Sequence, residues 1–76
     1  MGNIGKRAAM AIRERATRNG TTIAHEQKVL NLTRKTFHSW DRSENDPQAY
    51  FLQQMALAGY DVIWILTGAE KDNGKA

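Results

Sequence analysis

Thr33-Arg34-Lys35-Thr36-Phe37-His38-Ser39 gathers six polar side chains into seven positions, and their types suit the reading of base edges. Arg can bond guanine O6 and N7 in bidentate fashion, Lys does so more loosely, and His and Ser reach base acceptors or phosphates. A helix in the major groove offers bases only to outward side chains near its N-terminus. With Thr33 as the first residue past a turn, Arg34, Lys35, His38 and Ser39 take the second, third, sixth and seventh positions, the useful ones, while Phe37 and Trp40 turn inward. A merely solvated polar face is the bland reading of the same spacing.

Other chemistry finds less support. His25-Glu26-Gln27-Lys28-Val29 opens like a zincin helix, but Val29 stands where the second histidine belongs, and His25 and His38 are the only histidines. Gly5-Lys6-Arg7 matches the end of a phosphate loop without its upstream Gly or following Ser or Thr. No spacing implies a nucleophile, a base and an orienting group, and a small chain has little room for a substrate pocket. The expectation is a protein that is not an enzyme and uses no metal or cofactor.

The elements that would position the reading residues are short helices. Apolar residues at Ile4, Ala8, Ala9, Ile12 and Ala16 form an amphipathic stripe, and Asn19-Gly20 stops it. Thr21 and Thr22 offer caps for a second helix from about Ile23 to Val29, with Ile23, Ala24 and Leu30 as its apolar contribution. Asn31 suits a left-handed turn, Leu32 an apolar plug, and Thr33 the cap of a third helix running to Asp41. Asp46-Pro47 reads as the cap and first residue of a fourth helix carrying Tyr50, Phe51, Leu52 and Met55 and ended by Gly59. Asp61 caps a last helix over Val62 to Leu66, stopped by Thr67-Gly68. That stretch is rich enough in β-branched residues to be a strand, but no second strand is apparent to pair with it. The expected fold class is all-α with five helices, residues 1–68 forming the domain and 69–76 a polar, flexible C-terminal tail.

At 76 residues, 41% hydrophobic and 25% charged, the chain has room for one core, and without Cys it must gain stability from packing or dimerisation. No apolar run approaches the roughly 18 residues of a spanning helix. The N-terminus lacks the apolar stretch of a secretory signal, so a cytoplasmic protein with no membrane attachment is expected. The tail reaches the last residue without a second domain, so regulation is expected from concentration, proteolysis or a partner. A net charge of +3 hides a split: residues 1–42 hold nine Lys or Arg against three acids, and residues 43–76 hold two against five. That asymmetry suits one half facing a polyanion.

Gly59-Tyr60-Asp61-Val62-Ile63-Trp64-Ile65-Leu66-Thr67-Gly68 is similar to the closing segment of the helix-turn-helix domain of phage Cro proteins and phage repressors, the Cro/C1-type, XRE-like family. Trp40-Asp41-Arg42 followed by Asp46-Pro47 resembles that family's aromatic-acid-basic segment and its Pro-started fourth helix. The resemblance covers about residues 8–68. Where the family has an aliphatic residue and then Ala in its second helix, this chain has Glu26 and Gln27, and Asn31 and Ser43 replace two family glycines. Gln27 implies either wider spacing of the second and third helices or a hydrogen bond across them.

The resemblance implies a compact five-helix, lambda-repressor-like domain with a helix-turn-helix at helices 2 and 3. It implies a cytoplasmic phage or prophage transcription regulator, usually a repressor, that binds a pseudo-palindromic double-stranded DNA operator as a homodimer. Carried onto this chain, the base readers are Arg34, Lys35, His38 and Ser39, and the phosphate contacts are Thr22, Ile23 at the start of the second helix, Lys28, Thr36 and Arg42. Asp41 would pair with Arg13 or Arg15. The last helix carries more apolar bulk than one face can bury, so Val62 and Leu66 are expected in the core and Tyr60, Ile63 and Trp64 at a dimer interface.

A competing reading is a protein-binding module, such as an antitoxin or antirepressor with autoregulatory DNA binding, docking a protein partner on the apolar last helix. A nonspecific nucleoid or RNA-binding protein is a weaker third reading, given the modest charge and the lack of an aromatic platform with interleaved basic residues.

Overall fold

Five helices follow one another in a computed structural model that describes residues 3–69: α1 (Asn3–Asn19), α2 (Ile23–Val29), α3 (Arg34–Asp41), α4 (Ala49–Leu57) and α5 (Val62–Thr67). No strand occurs among the described residues, so Val62 to Leu66 is helical. The tail expected at 69–76 lies outside the described residues except for Ala69.

Helix α1 organises the rest because its inner stripe is small. Ala8, Ala9, Ile12 and Ala16 are buried, and the short alanine side chains let α2, α3 and α5 pack against one helix. Gly5 extends the stripe. A Cβ there would fall 3.2 Å from both Cα and the carbonyl oxygen of Trp40, and closer still to the carbonyl of Asn45, so only glycine allows this approach. The core is completed by Leu30, Leu32, Phe37, Trp40, Met55, Tyr60 and Ile65.

Turn chemistry accounts for the breaks between helices. Gly20 (φ 69°), Asn31 (φ 58°) and Ser43 (φ 61°) are all left-handed. Asn31 and Ser43 thus hold a backbone conformation that favours glycine, and for an L residue such as Ser43 it carries some strain. Asp61 caps α5 by accepting from the Trp64 N–H at 3.1 Å. Gly68 closes the same helix at φ 80°, its N–H donating to the Trp64 carbonyl. Arg7 reaches back from α1 and donates to the carbonyls of Ile65 (2.9 Å) and Leu66 (3.2 Å), placing a cation at the negative end of α5.

Three expectations are corrected. Helix α4 starts at Ala49, two residues later than Asp46-Pro47 implies, with Gln48 at its cap position and no side-chain cap bond. Asp46 is engaged elsewhere, its carboxylate accepting from the Gly5 N–H at 3.3 Å, and Pro47 is buried. In α5 the fully buried residue is Ile65 and the half-buried Val62 packs against the core as expected, whereas Leu66 is 41% exposed. Ala24, counted among the apolar contribution of α2, is exposed. The buried position of that helix belongs to Glu26, 5% exposed, whose carboxylate accepts from the Thr21 hydroxyl at 2.6 Å.

Candidate nucleic-acid interface

Two short helices and the turn between them form the candidate site, and local hydrogen bonds fix their relative placement. Thr22 caps α2 by accepting from the His25 N–H at 3.0 Å. Leu30 ends α2, Asn31 reverses the chain, and the Leu32 N–H returns to the Gln27 carbonyl at 2.8 Å. Leu30 and Leu32 are both buried, so the turn is pinned to the core on either side of Asn31. Thr33 then caps α3, accepting from the Thr36 N–H at 3.1 Å while its hydroxyl donates to the Thr36 hydroxyl at 2.9 Å. Gln27 is half-buried beside this turn.

The inner face of α3 is held by aromatics. Phe37 and Trp40 are buried, and the Trp40 ring meets Phe51 of α4 edge to face, centroids 5.5 Å apart. The end of α3 is clamped by Arg13, whose two guanidinium nitrogens donate to the two Asp41 carboxylate oxygens at 2.8 Å each. Those bonds hold the Asp41 carboxyl below its ordinary range. Arg13 rather than Arg15 is the partner, and Arg13 also lies over the Phe37 ring, 5.3 Å from its centre. Arg15 closes α4 instead, donating to the Ala58 carbonyl at 2.6 Å and stacking 4.1 Å from the Tyr60 ring centre.

The outward face of α3 carries Arg34, Lys35 and His38, all exposed. Ser39, on the same side, is half-buried, and its hydroxyl accepts from the Asn45 side-chain amide. Of the expected phosphate contacts, Thr22, Lys28 and Arg42 are exposed and Thr36 is half-buried. Ile23 packs partly against the core, which leaves its backbone N–H, the first of α2, as the group it can offer. Arg42 faces Glu44 at 3.5 Å with both side chains exposed, a pair that sequence reasoning missed because an i, i+2 spacing marks no contact on a helix.

Several arginines of the basic half serve internal contacts. Arg7, Arg13 and Arg15 are held by carbonyls or by Asp41, and Arg18 lies 3.7 Å from Glu14. On and beside α2 and α3 the exposed cations are Lys28, Arg34, Lys35 and Arg42, the last of them 3.5 Å from Glu44.

The expected dimer residues divide. Tyr60 is 9% exposed and belongs to the core rather than to an open surface, with Arg15 covering its ring. Its buried hydroxyl has no hydrogen-bond partner, and burial pushes its pKa up. Ile63 is 61% exposed and Trp64 half-buried, with Leu57 of α4 76% exposed nearby in the chain.

Among the described residues no group of three or more His, Cys, Asp or Glu is placed to hold a metal ion, and no helix is long and apolar enough to cross a membrane. Comparison of the chain with protein-family models, curated proteins and solved structures gave no match.

Proposed function

We propose that this chain is a sequence-specific transcription regulator of the phage or prophage Cro type. In this reading α2, the turn and α3 form a helix-turn-helix, and α3 enters the major groove of double-stranded DNA. The observation that carries the proposal is the exposure of Arg34, Lys35 and His38 together on the outward face of a helix whose inner face is fixed by Phe37 and Trp40. A pre-positioned helix that presents bidentate and single donors can discriminate bases without first ordering itself. Thr22, the Ile23 N–H, Lys28, Thr36 and Arg42 surround that helix as phosphate contacts, which fix register without carrying sequence information.

One such helix covers only a few base pairs, so the proposal includes a homodimer. The exposed apolar side chains of Ile63, Leu66 and Leu57 support it, since side chains of this kind are commonly covered by a partner surface. Two copies would place their α3 helices about 34 Å apart, one turn of DNA.

The test is selection of bound sequences from a random duplex pool at near-physiological salt. A pseudo-palindrome with half-sites about one helical turn apart is expected. No enrichment from a folded protein would overturn the proposal in favour of a protein-binding module.

A further inference from the structure

The outward surface of α3 does not end with the helix. After Asp41 the chain turns at Ser43, in a left-handed conformation, and runs back toward the same face, where the Asn45 amide nitrogen donates to the Ser39 hydroxyl. Asn45 itself is exposed. Together Lys35, Ser39, Asn45 and Gln48 line an open groove of about 410 Å³ floored by Trp40 and Phe51. Two hydrogen bonds, one from a side chain and one from the backbone, hold the loop that carries it. Asp46 accepts from the Gly5 N–H, and the Glu44 N–H donates to the Ser39 carbonyl at 2.9 Å.

We infer that Asn45 is a specificity-determining residue that reads an adenine, and that Ser39 positions it. The inference rests on the DNA-reading proposal above and adds a residue outside α3 to it. A side-chain amide has one acceptor and two donors. The Ser39 hydroxyl occupies one amide hydrogen, which fixes the orientation of the group and leaves the second hydrogen and Oδ1 free. One donor beside one acceptor is the complement of adenine N7 and N6, the pairing that Asn and Gln make in the major groove. Lys35, one helical turn before Ser39 on the same face, lines the same groove, so the adenine would neighbour the base that Lys35 contacts. Ser39 thus acts through Asn45 and is a positioning residue.

The experiment repeats the duplex selection with the wild-type chain, Asn45→Ala, Asn45→Asp and Ser39→Ala, each first shown to be folded by circular dichroism. The wild type is expected to enrich a motif in which one symmetric pair of positions prefers A. Asn45→Ala and Asn45→Asp should flatten that preference by about tenfold and leave the other positions of the motif unchanged. Ser39→Ala should weaken the same positions less and no others, a pattern that a general loss of stability does not produce. Unchanged motifs in both Asn45 variants would overturn this inference and leave the DNA-reading proposal standing. A wild-type pool without enrichment would overturn both.

Discussion

Arg13 and Asp41, 28 residues apart, join α1 to the last turn of α3 through two hydrogen bonds of 2.8 Å each. A carboxylate at the C-terminal end of a helix opposes the helix dipole, and the Arg13 guanidinium offsets that as well as fixing the angle of α3 against the core. The presentation of the outward face of α3 thus depends on a residue that does not lie on it.

Replacing Asp41→Asn removes this pair. Both side chains are partly exposed, so the cost at neutral pH is expected to be at most about 1 kcal/mol, or roughly 4–8 °C in Tm for a domain of this size. The folded carboxyl titrates below the unfolded one, so its contribution is complete above the ordinary aspartate value near 3.9 and is lost as pH falls through the depressed folded value. Thermal melts of both chains between pH 7 and pH 2 should converge at the acid end. A gap that widens on acidification would contradict the pairing.

Arg34→Ala and Arg42→Ala should differ in kind. Loss of Arg34 is expected to cost about 1–3 kcal/mol at one symmetric pair of base positions, whereas loss of Arg42 should weaken all sequences alike and flatten the salt dependence by about one ion. Because Glu44 lies 3.5 Å from Arg42, Glu44→Gln should free that guanidinium and strengthen binding to every sequence. Titrations of specific and scrambled duplexes at several salt concentrations check all three.

Gly5→Ala tests the contact of α1 with the end of α3. The new methyl would press on the backbone of Trp40 and Asn45, which cannot rotate away as a flexible side chain would. Overpacking of this kind costs about 1–3 kcal/mol, in the face of alanine's better helix propensity. A rise in Tm would show that the close approach is not needed.

Tyr60→Phe should leave stability unchanged or raise it, because it removes a buried hydroxyl that lacks a partner while keeping the ring that Arg15 covers. Arg15→Ala should lower Tm, since it removes both that contact and the bond to the Ala58 carbonyl. Thermal melts should show Arg15→Ala falling below the wild type and Tyr60→Phe at or above it; a clear loss in Tyr60→Phe would contradict this account.

Ile63→Glu addresses the proposed dimer. Ile63 is largely exposed, so the folded monomer should tolerate the charge, while two carboxylates at a symmetric apolar contact should dissociate the pair. Sedimentation is expected to show a dimer for the wild type and a monomer for the variant. A wild type that is monomeric at all concentrations, with and without duplex, would remove Ile63 from any self-association.

Helix boundaries were legible in the sequence wherever they rest on chemistry within three or four residues. Thr22, Thr33 and Asp61 cap the helices that follow them, and Gly20, Asn31 and Gly68 turn left-handed, because a cap or a left-handed turn is decided by the residue and its immediate neighbours. The inward aromatics of α3 were equally plain, since Phe37 and Trp40 are three residues apart on one helical face.

Tertiary structure alone decided what depends on partners far along the chain. Asp46 looks like a helix cap, but the Gly5 N–H 41 residues earlier engages its carboxylate, and α4 starts without it. Arg13 and Arg15 are alike in composition, yet their positions on α1 send one to Asp41 and the other to Ala58 and Tyr60. The bond from Asn45 to Ser39 spans a turn whose path depends on the left-handed Ser43 and on where Gly5 lets α1 approach, so no local spacing marks it. Tyr60 and Leu66 exchanged their expected places because of distant surfaces too: Tyr60, in the turn before α5, is buried against the core with Arg15 of α1 over its ring, while Leu66 lies on a side of the short α5 that no other helix covers.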